Sequence, residues 1–528
     1  MDAERPGLRT MLDSPESDAK PSVAANPRRV RRETRKVLRL QIARQVVAMG
    51  GATALYRLLG PEPFGLFGMV IPLLMLPRLP AKAMRMAAVQ AERISGQQRS
   101  AVFYLTVLLG VGAALLTGGL GHLFSRIYQA PELVWVSWAF AGTTLAESFG
   151  LTHLACLQRE LKLGKIAGIR LVSQIAAVTA AVLAAVQLQA DILELGVWAL
   201  IAMEYVQLSM NTLGYCYLGR WRPGGLVKTE IKHLLRFGGN YSLSRLIFYS
   251  GQNMDKILLA FVLGGTQTGQ RLLGMYTAMY NLMMKPVNFV TDPVTSVMLP
   301  ALSRTRNNHK DYSRIAIGFY RFTAILLIPV GVGLAVLSTD VVSLISGPDW
   351  DEAAVMLLAL APAICVYGLI NISGSLLASV GQTGRLLAAA SMLFLIQAQG
   401  YAAAYWFASQ FEFGPDLSVH DAFSVGVAVS YSVVLLVFTV PYLAFCFSRV
   451  ELAIGPLLLE LAQILGRSLL MGITVWFLQD LMVSNGWNLY LRLPLAILAG
   501  ALAYSILMWS RIKQSVLPFF KRAHEVHA

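Results

Sequence analysis

The stretch RFGGNYSLSRLIFYSGQNMDKILLAFV (residues 236–262) combines two properties that decide the fold. It is long enough and apolar enough to cross a bilayer, which takes about 20 residues. Its polar side chains nevertheless recur at helical spacing and share one face: Tyr241, Arg245, Tyr249, Gln252 and Lys256. Lipid does not tolerate such a stripe, because ionisable groups inside a membrane face a bundle interior or an aqueous cavity. The stretch therefore predicts one helix of a polytopic membrane protein with a polar lumen.

The whole chain follows the same pattern. Of its 528 residues, 56% are hydrophobic and 14% are charged, whereas a soluble domain carries about 25% charged residues. Long apolar segments alternate with short polar breaks from residue 38 onward, which predicts an all-α protein with about fourteen transmembrane helices. The predicted spans are 38–59, 64–80, 101–125, 132–157, 166–188, 193–218, 236–262, 274–300, 315–338, 352–380, 386–409, 421–447, 455–479 and 488–510.

The basic residues support this count. The net charge is +15, and most Lys and Arg residues fall in every second break, including 78–99 and the N-terminal segment up to Arg39. The opposite breaks carry only Arg126, Arg271 and Arg492. By the positive-inside rule, both termini are cytoplasmic. The bulk charge therefore marks topology, and nucleic acid is not expected as a partner.

A faint internal repeat predicts two parallel lobes. LLGPEPFGLFGM (58–69) and LGGTQTGQRLLGMYTAM (263–279) each end a span, turn and begin the next. Repeated halves with a site between them are typical of secondary transporters. We expect two six-helix lobes around a central cavity plus two C-terminal helices. The boundaries are 1–37 for a disordered basic cytoplasmic tail, 38–219 for the N-lobe, 220–447 for the C-lobe, 448–510 for helices 13–14 and 511–528 for a cytoplasmic C-tail.

Polar stripes on three spans supply the candidate site residues. More basic than acidic residues lie within the spans, which suits an anionic cargo, since Arg and Lys bind phosphate strongly where water is scarce. The candidate substrate-binding residues are Arg245, Lys256, Lys285, Tyr249, Gln252, Asn281, Asn288 and Asn211. The ion-coupling candidates are Asp292, Glu204 and Asp255. Glu460 and Arg467 share a face of span 13 and are expected to take part in local interhelical pairing.

The four cysteines have no metal-ligand spacing and no Walker motif occurs, so we expect neither metal nor ATP chemistry. No cofactor is expected. A proton or sodium gradient is the candidate source of energy.

The segments FGGNYSLSRLIFYSGQNMDKILLAFVLGG (237–265), LLGMYTAMYNLMMKP (272–286), VMLPALSR (297–304), GPDW (347–350) and LLGPEPFGL (58–66) resemble bacterial polysaccharide flippases. These form the polysaccharide-transporter branch of the multidrug/oligosaccharidyl-lipid/polysaccharide exporter superfamily, of the colanic-acid and O-antigen type. The resemblance implies translocation of an undecaprenyl-pyrophosphate-linked oligosaccharide from the inner to the outer leaflet of the bacterial cytoplasmic membrane, for surface polysaccharide export. It marks Asn253 and Asp255 as family-motif positions.

The expected partners are this lipid-linked oligosaccharide, membrane lipids, and polysaccharide polymerase and export machinery. Two alternatives within the superfamily are a flippase for peptidoglycan lipid precursors and a multidrug/cation antiporter, although a cation exporter favours an acidic lumen. Alternatives from other classes are a membrane glycan polymerase or ligase and a scaffold without transport. A polymerase or ligase commonly needs larger outward loops than those of this chain, which are short and lack a clustered acidic or histidine site.

Overall fold

The computed structural model describes residues 27–525, except 92, 188–191, 226–229, 306–307, 381–382 and 411–418. The regular structure of these residues is entirely helical. The N-lobe contains α1 (Pro27–Leu59), α2 (Glu62–Leu74), a 3₁₀ turn (Leu76–Arg78), α3 (Leu79–Gln90), α4 (Gly96–Ile127), α5 (Glu132–Arg159), α6 (Leu163–Gln187) and α7 (Ile192–Gly219).

The C-lobe repeats this arrangement with its helix breaks at other positions. It contains α8 (Lys232–Gln252), α9 (Met254–Leu263), α10 (Gln267–Thr305), α11 (His309–Val336), α12 (Ser338–Ile345), a 3₁₀ turn (Pro348–Trp350), α13 (Ala353–Ser379), α14 (Thr383–Gln410) and α15 (Val419–Ser448). The hairpin of α16 (Gly455–Ser484) and α17 (Leu489–Glu525) packs against α11 and α12. We call the end of the bundle where α1, α4 and α6 begin the inner face, and the opposite end the outer face.

Eight helical segments are long and apolar enough to cross a membrane by length and hydropathy, counted over the described residues. The other predicted spans correspond to α1, α5, α7, α8–α9, α10 and α14, which include the helices with polar stripes. Six exposed tryptophans lie towards the outer face, and a seventh, Trp509, lies in the half of α17 nearer the inner face. The six are Trp135, Trp138, Trp198, Trp406, Trp476 and Trp487. Such aromatic belts form at a membrane–water boundary, so this ring supports the transmembrane orientation of the bundle.

Three boundaries differ from the sequence expectation. The helix α1 begins at Pro27 and α17 continues to Glu525, so regular helix extends into both ranges assigned to the tails. The second span does not end at residue 80, because α2, the 3₁₀ turn and α3 form one path from Glu62 to Gln90. Proline is compatible with the first turn of a helix, and Pro77 and Pro80 both occupy such positions. The prolines thus bend this path without ending it.

Candidate functional site: a charged lumen between two lobes

A cluster of ionic side chains lies inside the N-lobe. Arg78 is only 2% exposed, and its Nε donates to Thr144 Oγ1 at 2.7 Å. Its Nη1 lies 3.5 Å from Glu204 Oε1 and 3.9 Å from Glu147 Oε2. Lys82, one turn further along α3, contacts Glu147 Oε1 at 3.1 Å. Buried charges persist when they are paired and hydrogen-bonded, and this cluster meets both conditions.

Four further cations converge where the lobes face each other. Arg44 of α1 lies within electrostatic range of Arg170 of α6 and Lys285 of α10. Arg85 of α3 lies within the same range of Arg170. None of the four forms an ion pair within 4 Å with a described carboxylate, although Asp292 lies in electrostatic range of Arg44 and Glu147 in that of Arg85. We call Arg44, Arg85, Arg170 and Lys285 the lumen cations. Their mutual repulsion would be relieved by an anion placed among them.

Two tyrosines and a glutamine accompany these cations. Tyr215 accepts a hydrogen bond from Arg170 Nε at 3.2 Å, and Arg85 Nη1 donates to Gln158 Oε1 at 2.7 Å. Tyr241 of α8 lies within electrostatic range of Arg85. Arg85 and Arg170 are therefore held in place by neutral acceptors, which leaves their positive charge available to a ligand.

The predicted polar face of α10 exists and is accessible. Asn281, Asn288 and Asp292 are exposed and Lys285 is half-buried, and their spacing places all four on one face. Asn371 of α13 donates to Thr291 Oγ1 at 3.2 Å and fastens the neighbouring face of α10 to the C-lobe. The remaining face of α10 is thus free to line the lumen.

The stripe on span 7 is divided by a helix break. Arg245 is exposed, and its guanidinium lies 5.9 Å from the centroid of the Phe248 ring. Tyr249 lies within electrostatic range of Arg78, so this face of α8 meets the N-lobe cluster. Gln252 instead donates to the Tyr367 hydroxyl at 3.1 Å. The helix α8 ends there, and α9 begins after Asn253.

Lys256 does not face the open lumen, contrary to the sequence prediction. It is 5% exposed, its Nζ lies 3.6 Å from Asp255 Oδ2, and the same Nζ lies 3.4 Å from the centroid of the Tyr280 ring. Tyr276 donates to Asp255 Oδ2 at 2.7 Å. The break at Asn253 interrupts the helical register of α8, which explains why a side chain expected on the lumen face lies in the C-lobe core.

We expect Lys256→Met to destabilise the protein strongly, because it leaves the buried Asp255 carboxylate without its cation. Breaking a buried pair from one side costs about 3–5 kcal/mol. Thermal unfolding of the purified protein measures the effect, and the double variant Lys256→Met/Asp255→Asn should recover most of the loss. If the single and double variants unfold at the same temperature, the pair does not act as a unit.

The remaining predicted residues have separate environments. Glu204 belongs to the N-lobe cluster with Arg78. Asn211 of α7 is half-buried, and its Oδ1 is buried without a hydrogen-bond partner among the described residues. The candidate residues thus fall into the N-lobe cluster, the lumen between the lobes and the C-lobe core.

Five basic residues of this site are not among the predicted site residues. Arg78, Lys82 and Arg85 fall in a predicted cytoplasmic break, and Arg44 and Arg170 lie in predicted spans outside the candidate set. A signal for the first three was present, since Arg78, Lys82 and Arg85 recur at spacings of four and three residues, which places them along one helical face.

At the outer face, the two lobes are in direct contact. The Trp350 side chain is fully buried, and its Nε1 donates to the Tyr56 carbonyl at 3.1 Å. Arg57 donates to the Leu344 carbonyl across the same boundary. The segments 58–66 and 347–350 therefore meet, since Phe64 also packs on Trp350 with ring centroids 5.9 Å apart.

The helices α2 and α10 continue this contact towards the inner face. A Cβ on Gly65 would lie 1.8 Å from the Gln270 carbonyl oxygen, and one on Gly274 would lie 2.0 Å from that of Pro61. Only glycine permits backbones to approach so closely. The lumen is therefore closed at the outer face in this conformation.

The comparisons with known proteins agree with this architecture. The family described as polysaccharide biosynthesis protein matches residues 54–355. The chain is 24% identical over 335 residues to the lipopolysaccharide biosynthesis protein WzxC of Escherichia coli, covering 62% of this chain and 64% of that protein. It is 25% identical over 301 residues to the teichuronic acid biosynthesis protein TuaB of Bacillus subtilis, covering 56% and 60%. The chain thus spans less than two thirds of either relative.

Two solved structures share the fold. The lipid II flippase MurJ in its inward closed conformation superposes with a TM-score of 0.68 at 16% identity, covering 90% of this chain and 99% of MurJ. An inward-facing multidrug resistance MATE family transporter of the MOP superfamily gives 0.57 at 13% identity, covering 79% and 99%. The family match spans more than half of the chain, and the fold is that of polytopic transporters. The chain therefore belongs to the polysaccharide biosynthesis protein family.

Proposed function

We propose that this protein is a flippase without enzymatic activity, which moves an undecaprenyl-pyrophosphate-linked oligosaccharide from the inner to the outer leaflet of the bacterial cytoplasmic membrane by alternating access. The observation that carries the proposal is the convergence of the lumen cations on the boundary between the lobes. A pyrophosphate neutralises several cations at once, and Arg and Lys bind its oxygens with charge-assisted hydrogen bonds. The biosynthetic relatives of the chain support a glycan cargo.

In the proposed cycle, the pyrophosphate enters from the inner face and binds among the lumen cations. The glycan lies along the accessible polar face of α10, where Asn281 and Asn288 offer amide hydrogen bonds. The prenyl chain stays in the surrounding lipid, since transferring its hydrocarbon into a polar lumen is unfavourable. Rocking of the lobes then separates Trp350 from Tyr56 and opens the outer face. With the basic residues on the inner face, both termini are proposed to be cytoplasmic.

An ion gradient is proposed to reset the transporter. Asp292 is the accessible carboxylate beside Arg44, and Glu204 is the carboxylate beside Arg78. Either carboxylate can separate from its cationic neighbour and bind a proton or a sodium ion as the cargo leaves. Asp255 is the third candidate, but its partner Lys256 already supplies a cation. Polysaccharide polymerase and export machinery are the proposed protein partners.

Reconstitution in liposomes tests the cargo. Vesicles that carry a fluorescent undecaprenyl-pyrophosphate oligosaccharide are treated with a membrane-impermeant glycosidase. We expect the protein to render glycan from the inner leaflet cleavable, while protein-free vesicles protect it. Equal protection in both preparations would contradict flippase activity. If the protein transports a peptidoglycan lipid precursor and not the oligosaccharide, the proposed mechanism stands but the proposed cargo is wrong.

A further inference from the structure

Arg467 lies in α16 as a half-buried cation with no acidic partner among the described residues. Within the described part of the chain, no carboxylate lies within 4 Å of its guanidinium, and its Nη1 lies 3.1 Å from the Met508 sulfur. A thioether is only a weak acceptor. An arginine within a membrane helix is costly unless it meets an anion, a polar group or the interface. The surroundings of Arg467 therefore require an additional acceptor.

The nearest acid on the same helix is already bound elsewhere. Glu460 accepts two hydrogen bonds from Arg321 of α11, one of them from Nε at 2.8 Å. This bidentate geometry satisfies the charges of both groups. The sequence predicts interhelical pairing for both Glu460 and Arg467; Glu460 pairs with Arg321, and Arg467 has no described acidic partner. The three side chains together leave the site with one net positive charge.

These side chains line a cleft between α11, α16 and α17. Gln463 and Ile464 form its α16 wall, and Ile325 and Met508 close it from the neighbouring helices. Arg467 lies about 18 Å along α16 from the first residue, and helical side chains point back towards the N-terminus, here the inner face. Apolar side chains of α16 and α17 are exposed on the surface of the hairpin, among them Leu459, Leu465 and Ile506. The cleft thus offers a cation on the inner half of α16, with an exposed apolar surface on the same hairpin.

We propose that this cleft binds the phosphate of an anionic phospholipid from the leaflet at the inner face. The phosphate supplies the acceptors that Arg467 lacks, and the acyl chains cover the exposed apolar side chains. A bound lipid would also bridge α16 to α11. The cargo is not the occupant, because α16 and α17 pack against α11, α12 and each other, whereas the lumen lies between the N-lobe and the C-lobe.

Native mass spectrometry of the delipidated protein, with phosphatidylglycerol or phosphatidylcholine added, tests the site. We expect Arg467→Gln to weaken phosphatidylglycerol binding by about tenfold, the loss of about one charge-assisted hydrogen bond, and to leave phosphatidylcholine binding unchanged. Arg467→Lys should retain part of the affinity. Arg449→Gln, at an exposed cation of the inner face, is the matched control and should bind as the unaltered protein does.

The outcomes separate the sources of phosphate. If Arg467→Gln and the unaltered protein bind phosphatidylglycerol equally, the site does not exist. If 10-fold excess inorganic phosphate displaces the lipid, the cleft takes free phosphate and the lipid assignment is overturned. A thermal-unfolding scan without lipid shows that each variant is folded. Because the lipid-binding assay contains no cargo, its result does not depend on whether the proposed flippase activity is correct.

Discussion

Glycan export is expected to stop when α2 and α10 are joined by a disulfide, and to resume when the disulfide is reduced. A Cβ on Gly68 would lie 3.6 Å from the Thr277 Cβ, within the separation of about 3.5–4.5 Å that disulfides require. The double variant Gly68→Cys/Thr277→Cys should therefore crosslink on oxidation. Because the two helices belong to different lobes, the bond would hold the outer face closed and block the proposed alternating access.

The measurement is glycosidase accessibility in proteoliposomes, before and after dithiothreitol. Three of the four native cysteines are buried and none of the four forms a disulfide, so the introduced pair should be the main site of oxidation. A disulfide within the C-lobe is the matched control: a Cβ on Gly400 would lie 3.8 Å from the Ser430 Cβ, and this Gly400→Cys/Ser430→Cys pair should crosslink without stopping export. Full export by the crosslinked Gly68/Thr277 variant would show that the lobes do not separate at this contact.

The global architecture could be predicted because it rests on bulk quantities. Hydrophobic run length and the side preference of Lys and Arg average over many residues, so local errors hardly alter the fold class. The face of α10 was also predictable, since Asn281, Lys285, Asn288 and Asp292 lie on one uninterrupted helix. Such a helix keeps its 3.6-residue period through Pro286 and Pro293, and the period alone assigns the face.

The sequence prediction was wrong where buried charges are neutralised by residues far away along the chain. The segment 78–90 reads as a basic loop because its charges cannot be told apart from topology markers by composition. In the structure, Glu147 of α5 and Glu204 of α7 compensate Arg78, about 70 and 125 residues away along the chain. Lys256 failed for another reason, because the break at Asn253 changes the register after α8. A single sequence shows neither which distant carboxylates neutralise Arg78 nor that a helix breaks at Asn253.

The lumen cations give the second large expectation, that Lys285→Ala and Arg44→Ala each reduce glycan flipping severely. A hydrogen bond to a charged group contributes about 1.5–3 kcal/mol, so each substitution should weaken cargo binding by about 10- to 100-fold. Because Arg44 and Lys285 lie in electrostatic range of each other, we expect the double variant to lose less than the sum of the single losses. Lys285→Arg keeps the charge and should retain much of the activity.

The control for these variants is a cation outside the lumen. Arg126 is exposed in the last turn of α4, and Arg126→Ala should flip glycan at the unaltered rate. The decisive comparison is between cargo forms: loss of lumen charge should impair binding of the pyrophosphate-linked lipid far more than binding of the same oligosaccharide on an uncharged lipid. If both forms lose affinity equally, the cations act on the glycan or on the fold. If neither cargo form loses affinity, the lumen cations do not bind the cargo, and the pyrophosphate must be recognised elsewhere.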